Sequence, residues 1–333
     1  MTFDLSSVIV VTPVYEDVEA SSRLFKELAK EFRDDVFVVA VDDGSVKRPL
    51  GIDSLADAGV DGVILKLRRN VGHQRAIAIG LGYVSEHIKP EQRVVIMDSD
   101  GEDVPSTIPL LLNQLYPHDV VVAQRKSRVE TFRFKLFYVI YKLIFSLLTG
   151  RAISFGNFMA LQANAVRRLV AMQELSLHVA SAVLASKLRT GICAIHRGPR
   201  YAGRSKMNFS GLVLHGFKAL MVFAEDVLVR VGIACALIAA LSVVGAVTVT
   251  ILKLIGLSTP GWFSLVLGIM VLTVLQTGAL TLMTLMLTGV VRGGTVTSTI
   301  AYRDFIEQIM ATSASVTAAS PDPMKIEPAT AAN

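Results

Sequence analysis

Arg93-Val94-Val95-Ile96-Met97-Asp98-Ser99-Asp100 is the stretch whose reading decides the fold. An unbroken apolar run of this length is a strand buried on both faces, which implies a parallel sheet covered on both sides. The run stops abruptly at two carboxylates. The same pattern recurs upstream. Val8-Ile9-Val10-Val11 closes at Thr12-Pro13, Val36-Phe37-Val38-Val39-Ala40-Val41 ends at Asp42-Asp43-Gly44-Ser45, and Gly62-Val63-Ile64-Leu65-Lys66-Leu67 leads to Arg69-Asn70-Val71-Gly72. Helical stretches at about 19–33 and 73–87 lie between these strands, and Asp119-Val120-Val121-Val122-Ala123 adds another strand downstream. Strands alternating with helices predict a mainly parallel α/β sheet with right-handed crossovers. Ligands of such sheets bind beyond the carboxyl ends of the strands. Pro13-Val14-Tyr15-Glu16, Asp42-Asp43 and Asp98-Ser99-Asp100 are therefore expected to meet at one crevice.

Apolar residues make up 52% of the 333-residue chain, more than a soluble enzyme of this size carries. The excess lies between Val227 and Val291. Residues 231–252 and 262–291 are each long enough to cross a hydrocarbon core of roughly 30 Å. The short 256–260 turn between them predicts a transmembrane hairpin. Lys218, Arg230, Arg292 and Arg303 flank its outer ends, and only Lys253 lies near the turn. By the positive-inside rule the outer ends and the soluble domain face the cytoplasm. The start, Met1-Thr2-Phe3-Asp4, has neither a basic region nor a long apolar core, so no signal peptide is expected. Residues 125–151 hold seven Lys/Arg against one Glu, interleaved with Phe132, Phe134, Phe137, Tyr138, Tyr141 and Phe145. They read as one or two amphipathic helices at the headgroup level, with a basic surface helix as the alternative. The expected organisation is an α/β core over 1–124, a segment over 125–226 that completes the same domain, two membrane helices within 227–292 (about 231–252 and 262–291), and a cytoplasmic tail over 293–333, disordered after about 311. The net charge of +5 is too mild to argue for nucleic acid. Cys193 and Cys235 form neither a disulfide framework nor a metal-site spacing.

Asp98 and Asp100 are alternate residues at a strand end and so point to one side. Two such carboxylates, with Glu102 and Asp103 close behind, make a hard-oxygen site suited to Mg2+ or Mn2+. A cation there would neutralise a leaving diphosphate. The competing reading is a helix N-cap with an acidic first turn. Asp42-Asp43-Gly44-Ser45 reads either as a carboxylate pair for a base or ribose, or as an Asx-type turn. The chain has no GxGxxG after the first strand and no P-loop.

Taken in order, a strand with Thr-Pro-Val-Tyr-Glu, a strand with Asp-Asp-Gly-Ser, Arg-Asn-Val-Gly, and a strand with Asp-Ser-Asp resemble the GT-A fold of family 2 glycosyltransferases. Arg200-Tyr201-Ala202-Gly203-Arg204-Ser205-Lys206 followed by two spans is similar to the polyprenyl-phosphate branch, which includes dolichol-phosphate mannose synthases and GtrB-type bacterial glucosyltransferases. The resemblance covers residues 8–292. It implies inverting transfer of a sugar from a nucleotide-sugar donor to a polyprenyl phosphate, at the cytoplasmic face of the cell membrane. Pro13, Tyr15, Glu16, Asp42 and Asp43 match the donor pocket, with Asp98 near nucleotide and sugar. Asp100 matches the metal ligand, with Glu102 and Asp98 beside it. Arg125, Arg133, Lys135, Arg200 and Lys206 match positions expected near acceptor or donor phosphates, and Asp98, Asp100 and Arg125 are the catalytic candidates. Expected partners are the donor, the lipid acceptor and the bilayer, with self-association left open.

The chain departs from the family at Gly156-Asn157-Phe158-Met159, where relatives commonly have Gly-Asp-Phe-Arg. Asn157 cannot act as a general base. A phosphate acceptor needs none, because its second pKa near 6 leaves it largely ionised at pH 7. A hydroxyl acceptor would need one. Transfer to another lipid or lipid-linked hydroxyl is therefore one alternative, and a non-catalytic membrane scaffold is another. His178 falls toward the acceptor side, where a lone histidine is more often structural. Gln276, inside the second span, reads as a helix–helix hydrogen bond.

Overall fold

The computed structural model describes residues 6–125, 132–152, 155–201, 209–257, 261–294 and 302–312. The chain runs β1 (Val8–Val14), α1 (Val18–Phe32), β2 (Val36–Asp42), α2 (Asp53–Ala56), β3 (Asp61–Leu67), α3 (His73–His87), β4 (Arg93–Ile96), α4 (Ile108–Leu112) and β5 (Val120–Arg125). It continues through α5 (Phe132–Thr149), β6 (Met159–Gln162), α6 (Ala163–Val170), α7 (Val179–Ala185), β7 (Thr190–Ile195), α8 (Phe209–Met221), α9 (Ala224–Leu254), α10 (Trp262–Gly294) and β8 (Ile306–Ala311).

The eight strands form one sheet in the order β7-β5-β6-β4-β1-β2-β3-β8. β6 is antiparallel to both of its neighbours, and β8 is antiparallel to β3. The other six strands run one way, so their carboxyl ends share one edge. Because β6 runs backwards, the residues just before it, Gly156 to Phe158, reach that same edge. β1 extends past the expected stop at Pro13. Its pairing with β4 ends at Val11, whereas its pairing with β2 continues to Val14, so Pro13 lies where one side of the strand has no ladder partner.

Alternate strand residues feed two cores. Ile9, Val11, Val39 and Val41 pack with Ile77, Leu81 and Val166 on the α3/α6/α7 side. Val8, Val10, Val38 and Ala40 pack with Leu24, Phe25, Leu55 and Leu111 on the α1/α2/α4 side. Cover on both faces is why these strands read as continuous apolar runs rather than alternating ones. A third cluster, Phe145, Ala180, Ala219, Val222 and Phe223, joins α5 and α7 to α8 and the start of α9.

α9 and α10 are both long and apolar enough to cross a membrane. They form an antiparallel hairpin: Gly232 lies against Thr284, Gly245 against Met270, and Lys253 stands over the Phe263 ring at 4.0 Å. Their outer faces expose leucines such as Leu237, Leu241, Leu275 and Leu285. Gln276 also faces outward, so it makes no hydrogen bond to α9, contrary to the sequence reading. α5 is the one described helix of the 125–151 stretch. It exposes Val139, Ile140, Leu143, Ile144 and Leu147. After α10 the chain returns to the sheet. Tyr302 packs over Gly82, Arg68 N–H donates to Phe305 carbonyl O at 2.9 Å, and β8 pairs along β3. Part of the stretch read as a cytoplasmic tail, ahead of the point where disorder was expected, thus completes the sheet, and both outer ends of the hairpin join the α/β domain.

Candidate active site

On the β1/β2/β3 side of the carboxyl edge, carboxylates bind backbone. Asp42 is fully buried, and its two oxygens accept from Ser45 and Leu50 N–H at 3.0 Å each. Asp43 accepts from Val71 and Gly72 N–H at 2.7 and 3.0 Å. Burial holds its carboxyl above the usual range, against the lowering effect of those two bonds. Gly44 has φ +68°, and a Cβ there would stand 2.5 Å from the Arg69 carbonyl carbon, so only glycine lets the two loops touch. Glu16 accepts from Val46, Lys47 and Arg48 N–H at 2.8, 2.9 and 2.8 Å, and the Lys47 and Val46 bonds lead in lowering its pKa. Pro13 is buried and Tyr15 is exposed at the rim.

At the end of β4 the loop folds on its own acids. Asp98 N–H donates to Asp103 Oδ2, and Glu102 N–H donates to Asp100 Oδ1, both at 3.0 Å. The loop after β7 lies across it. Gly198 N–H donates to Glu102 O at 3.0 Å and Tyr201 N–H to Asp100 O at 2.8 Å. Gly101, at φ +87°, makes room for the Tyr201 ring. Arg200 reaches Asp100 Oδ2 through Nη2 at 2.9 Å and Glu102 Oε1 through Nε at 3.0 Å. The Arg197 guanidinium lies against Glu102, and burial pushes its pKa down. A cleft of about 360 Å3, open to solvent, is lined by Asp98, Glu102, Asn157 and Arg197.

These residues fit a hard divalent cation in kind: the donors are carboxylate oxygens, and Asp98 Oδ1 is buried with no hydrogen-bond partner among the described residues. Asp100 and Glu102 are engaged by guanidinium groups, and no ready set of three ligating side chains stands together among the described residues. A cation would share or displace the arginine contacts.

The third wall is built of histidine and amide side chains. His73 opens α3 and its Nε2 stands 3.8 Å from Asp98 Oδ1. Asn157 Nδ2 meets His73 Nε2 at 2.8 Å, and Asn157 Oδ1 accepts from Gln74 Nε2 at 3.3 Å. Gln74 Oε1 accepts from Val179 N–H at 2.6 Å. Behind them, His178 and His215 are joined Nε2 to Nε2 at 3.0 Å.

A family model described as glycosyl transferase family 2 matches residues 9–175, half of the chain and all of the carboxyl edge up to the start of α7. The chain belongs to that family. This glycosyltransferase is 25% identical over 282 residues to the uncharacterized glycosyltransferase YkoT of Bacillus subtilis, covering 80% of this chain and 82% of that protein. It is also 25% identical over 268 residues to YkcC of the same organism, covering 77% and 81%. Crystal structures of glucosyl-3-phosphoglycerate synthase from Mycobacterium tuberculosis align as well. The one in complex with Mn2+ and uridine-diphosphate-glucose has a TM-score of 0.49 at 13% identity and covers 67% of this chain and 79% of that one. The sheet itself is the mainly parallel α/β sheet expected from the sequence.

In this glycosyltransferase, Asp98, Asp100, Glu102 and Arg200 come together, 98 or more positions apart for the arginine contacts. Arg125 ends β5 at the same edge, beside Ile195, and its side chain lies outside the described residues. The same holds for the side chains of Arg133 and Lys135 and for all of Lys206. Sequence reasoning missed His73, Gln74, Arg197 and His215. The position of His73, directly after Asn70-Val71-Gly72 at a helix start facing the carboxyl edge, was the available signal. His215 was also visible as a ring imidazole within the apolar run Phe209–Met221.

Proposed function

We propose that this glycosyltransferase moves a sugar from a nucleotide-sugar donor onto a polyprenyl phosphate at the cytoplasmic face of a membrane, with inversion at the anomeric carbon. The observation that carries the reading is the make-up of the acceptor wall. That wall is completed by α8, which turns His215 inward and Leu214, Phe217 and Met221 outward, and which leads directly into the apolar hairpin. A site whose wall is a membrane-side helix suits a substrate confined to the bilayer, because anchoring replaces a three-dimensional search with a two-dimensional one. The Lys/Arg bias at the outer ends of the hairpin supports the cytoplasmic orientation. The exposed apolar face of α5 supports contact with the interface.

In this mechanism an oxygen of the lipid phosphate attacks the anomeric carbon from the face opposite the nucleoside diphosphate. The bond from that carbon to the diphosphate oxygen breaks, and its electron pair leaves with the diphosphate. The phosphate nucleophile is already ionised near pH 7, so Asn157 in place of a carboxylate is no obstacle. Asp98, Asp100 and Glu102 would hold Mg2+ or Mn2+, which when bound neutralises charge on the leaving diphosphate. Arg200 and Arg125 are assigned to phosphate oxygens, and Tyr15, Pro13 and Glu16 to the nucleotide side.

The test is a donor screen in membranes supplied with polyprenyl phosphate, read by the mass of the lipid product. Asp100→Ala is expected to cut transfer about a thousandfold, with the protein still folded and membrane-bound. Near-normal turnover by that variant removes the metal reading. A product formed only with lipid-linked alcohols removes the phosphate acceptor. No nucleotide-sugar binding with either cation points instead to a scaffold.

A further inference from the structure

The direction of the His178–His215 hydrogen bond is fixed by the backbone. Ser181 N–H can only donate, and it donates to His178 Nδ1 at 3.1 Å. His178 Nδ1 is therefore the lone-pair nitrogen, and the neutral ring carries its proton on Nε2. That Nε2–H donates to His215 Nε2 at 3.0 Å. His215 Nε2 is thus an acceptor, and the His215 proton sits on Nδ1. Burial holds both rings neutral, pushing His178 down to about 3 and His215 to about 4.

His215 Nδ1–H has no hydrogen-bond partner among the described residues, and the ring is only partly buried. The ring lies 6.4 Å from the His73 ring, centroid to centroid, at an interplanar angle of 29°. His73 in turn borders Asp98. On α8, His215 shares the inward stripe with Ala219, and Val222 just past the helix is buried too, whereas Leu214, Phe217 and Met221 are more than half exposed on the outer stripe. A single fixed donor therefore stands between an apolar outer surface and the acidic cluster.

We infer that His215 is an acceptor-binding residue whose Nδ1–H donates to a phosphate oxygen of the lipid acceptor as the head group enters beside α8. This rests on the lipid-phosphate reading above. An anionic acceptor makes the bond charge-assisted, and a neutral donor supplies direction where the arginines supply charge. His178 is the positioning residue: by holding Nε2 it keeps the proton on the side that meets substrate.

The competing role is a structural tie between α7 and α8, and two amides separate the two. Asparagine places its NH2 near the Nδ1 position. Glutamine reaches the Nε2 position and keeps a carbonyl there for His178 Nε2–H. The experiment uses the full chain in lipid nanodiscs, with a polyprenyl phosphate as acceptor probe and KM measured separately for donor and acceptor. His215→Gln is expected to raise the acceptor KM roughly tenfold or more with thermal stability and donor KM unchanged. His215→Asn is expected to stay within about threefold of wild type in acceptor KM. Three results overturn the inference: His215→Gln behaving as wild type, His215→Asn as impaired as His215→Gln, or a rise in donor KM instead, which would put the N–H on the diphosphate. Wild type that never uses polyprenyl phosphate defeats the lipid-phosphate reading itself and takes the inference with it, whereas a normal wild type with a normal His215→Gln defeats the inference alone.

Discussion

The two halves of the carboxyl edge use acidic and polar side chains in opposite ways. On the β1/β2/β3 half, Glu16, Asp42 and Asp43 accept seven hydrogen bonds from backbone N–H groups of neighbouring loops. On the β4/β6/β7 half, Asp100 and Asp103 each accept one bond from their own loop, but side-chain pairs come in as well: Arg200 with Asp100 and Glu102, Asn157 with His73, His178 with His215. A backbone-bound carboxylate fixes the shape of a loop. A side-chain pair can exchange one partner for a ligand without moving the chain. The first half is thus a rigid frame, and the second is the part built to rearrange when substrates arrive.

Asp42→Ala tests the frame most severely. It strands the Ser45 and Leu50 N–H groups in a fully buried site, at a cost of about 1–3 kcal/mol each. The expected result is a large fall in unfolding midpoint. A variant that kept its stability and lost only donor affinity would put Asp42 among the ligand-binding groups and erase the contrast. Arg200→Ala should do the reverse. Transfer is expected to fall about ten- to hundredfold, while the unfolding midpoint hardly moves. Mn2+, followed by titration calorimetry, should bind more tightly once the guanidinium no longer competes for Asp100 and Glu102. Unfolding as severe as that of Asp42→Ala would make the arginine part of the frame.

The smallest effect is on acid stability. His178 and His215 titrate lower in the folded protein, at about 3 and about 4, than their ordinary 6.5. The unfolded chain therefore binds protons first as pH falls below 6.5. Stability from these rings is present above that pH and is lost progressively toward the folded values. Between pH 6.5 and 5.5 the expected loss is roughly 1 kcal/mol for each ring. It should be visible as a falling unfolding midpoint that is shallower in His215→Asn. A midpoint flat across that range would mean the pair is not buried in neutral form.

The frame was the legible half. Apolar runs gave β1 to β5, and α3 has the bounds read from the sequence, because local burial on both faces leaves a continuous apolar signature. Asp98, Asp100 and Glu102 were readable as an acidic strand end. The rearrangeable half was not, because its pairings are tertiary. Nothing near Asp100 announces Arg200, and nothing near His178 announces His215. β6 lies between β4 and β5 although it follows β5 in the chain, an order that no local pattern encodes. β8 was hidden as well: Ile306-Glu307-Gln308-Ile309 is too short and too mixed to stand out beside a polar tail.

That last strand imposes an order of events on biosynthesis. β3 emerges early, yet the neighbour that covers its edge is made only after both long apolar helices, and Thr312 closes onto Gly62 across 250 positions of sequence. Until then the nascent domain carries a bare strand edge, the kind of surface that recruits chaperones or other strands. Completing the sheet therefore waits on synthesis of both apolar helices, which couples maturation of the α/β domain to formation of the hairpin. A ribosome stalled, or a chain cut, between α10 and β8 would leave a domain with Asp98, Asp100 and Glu102 in place and an open flank.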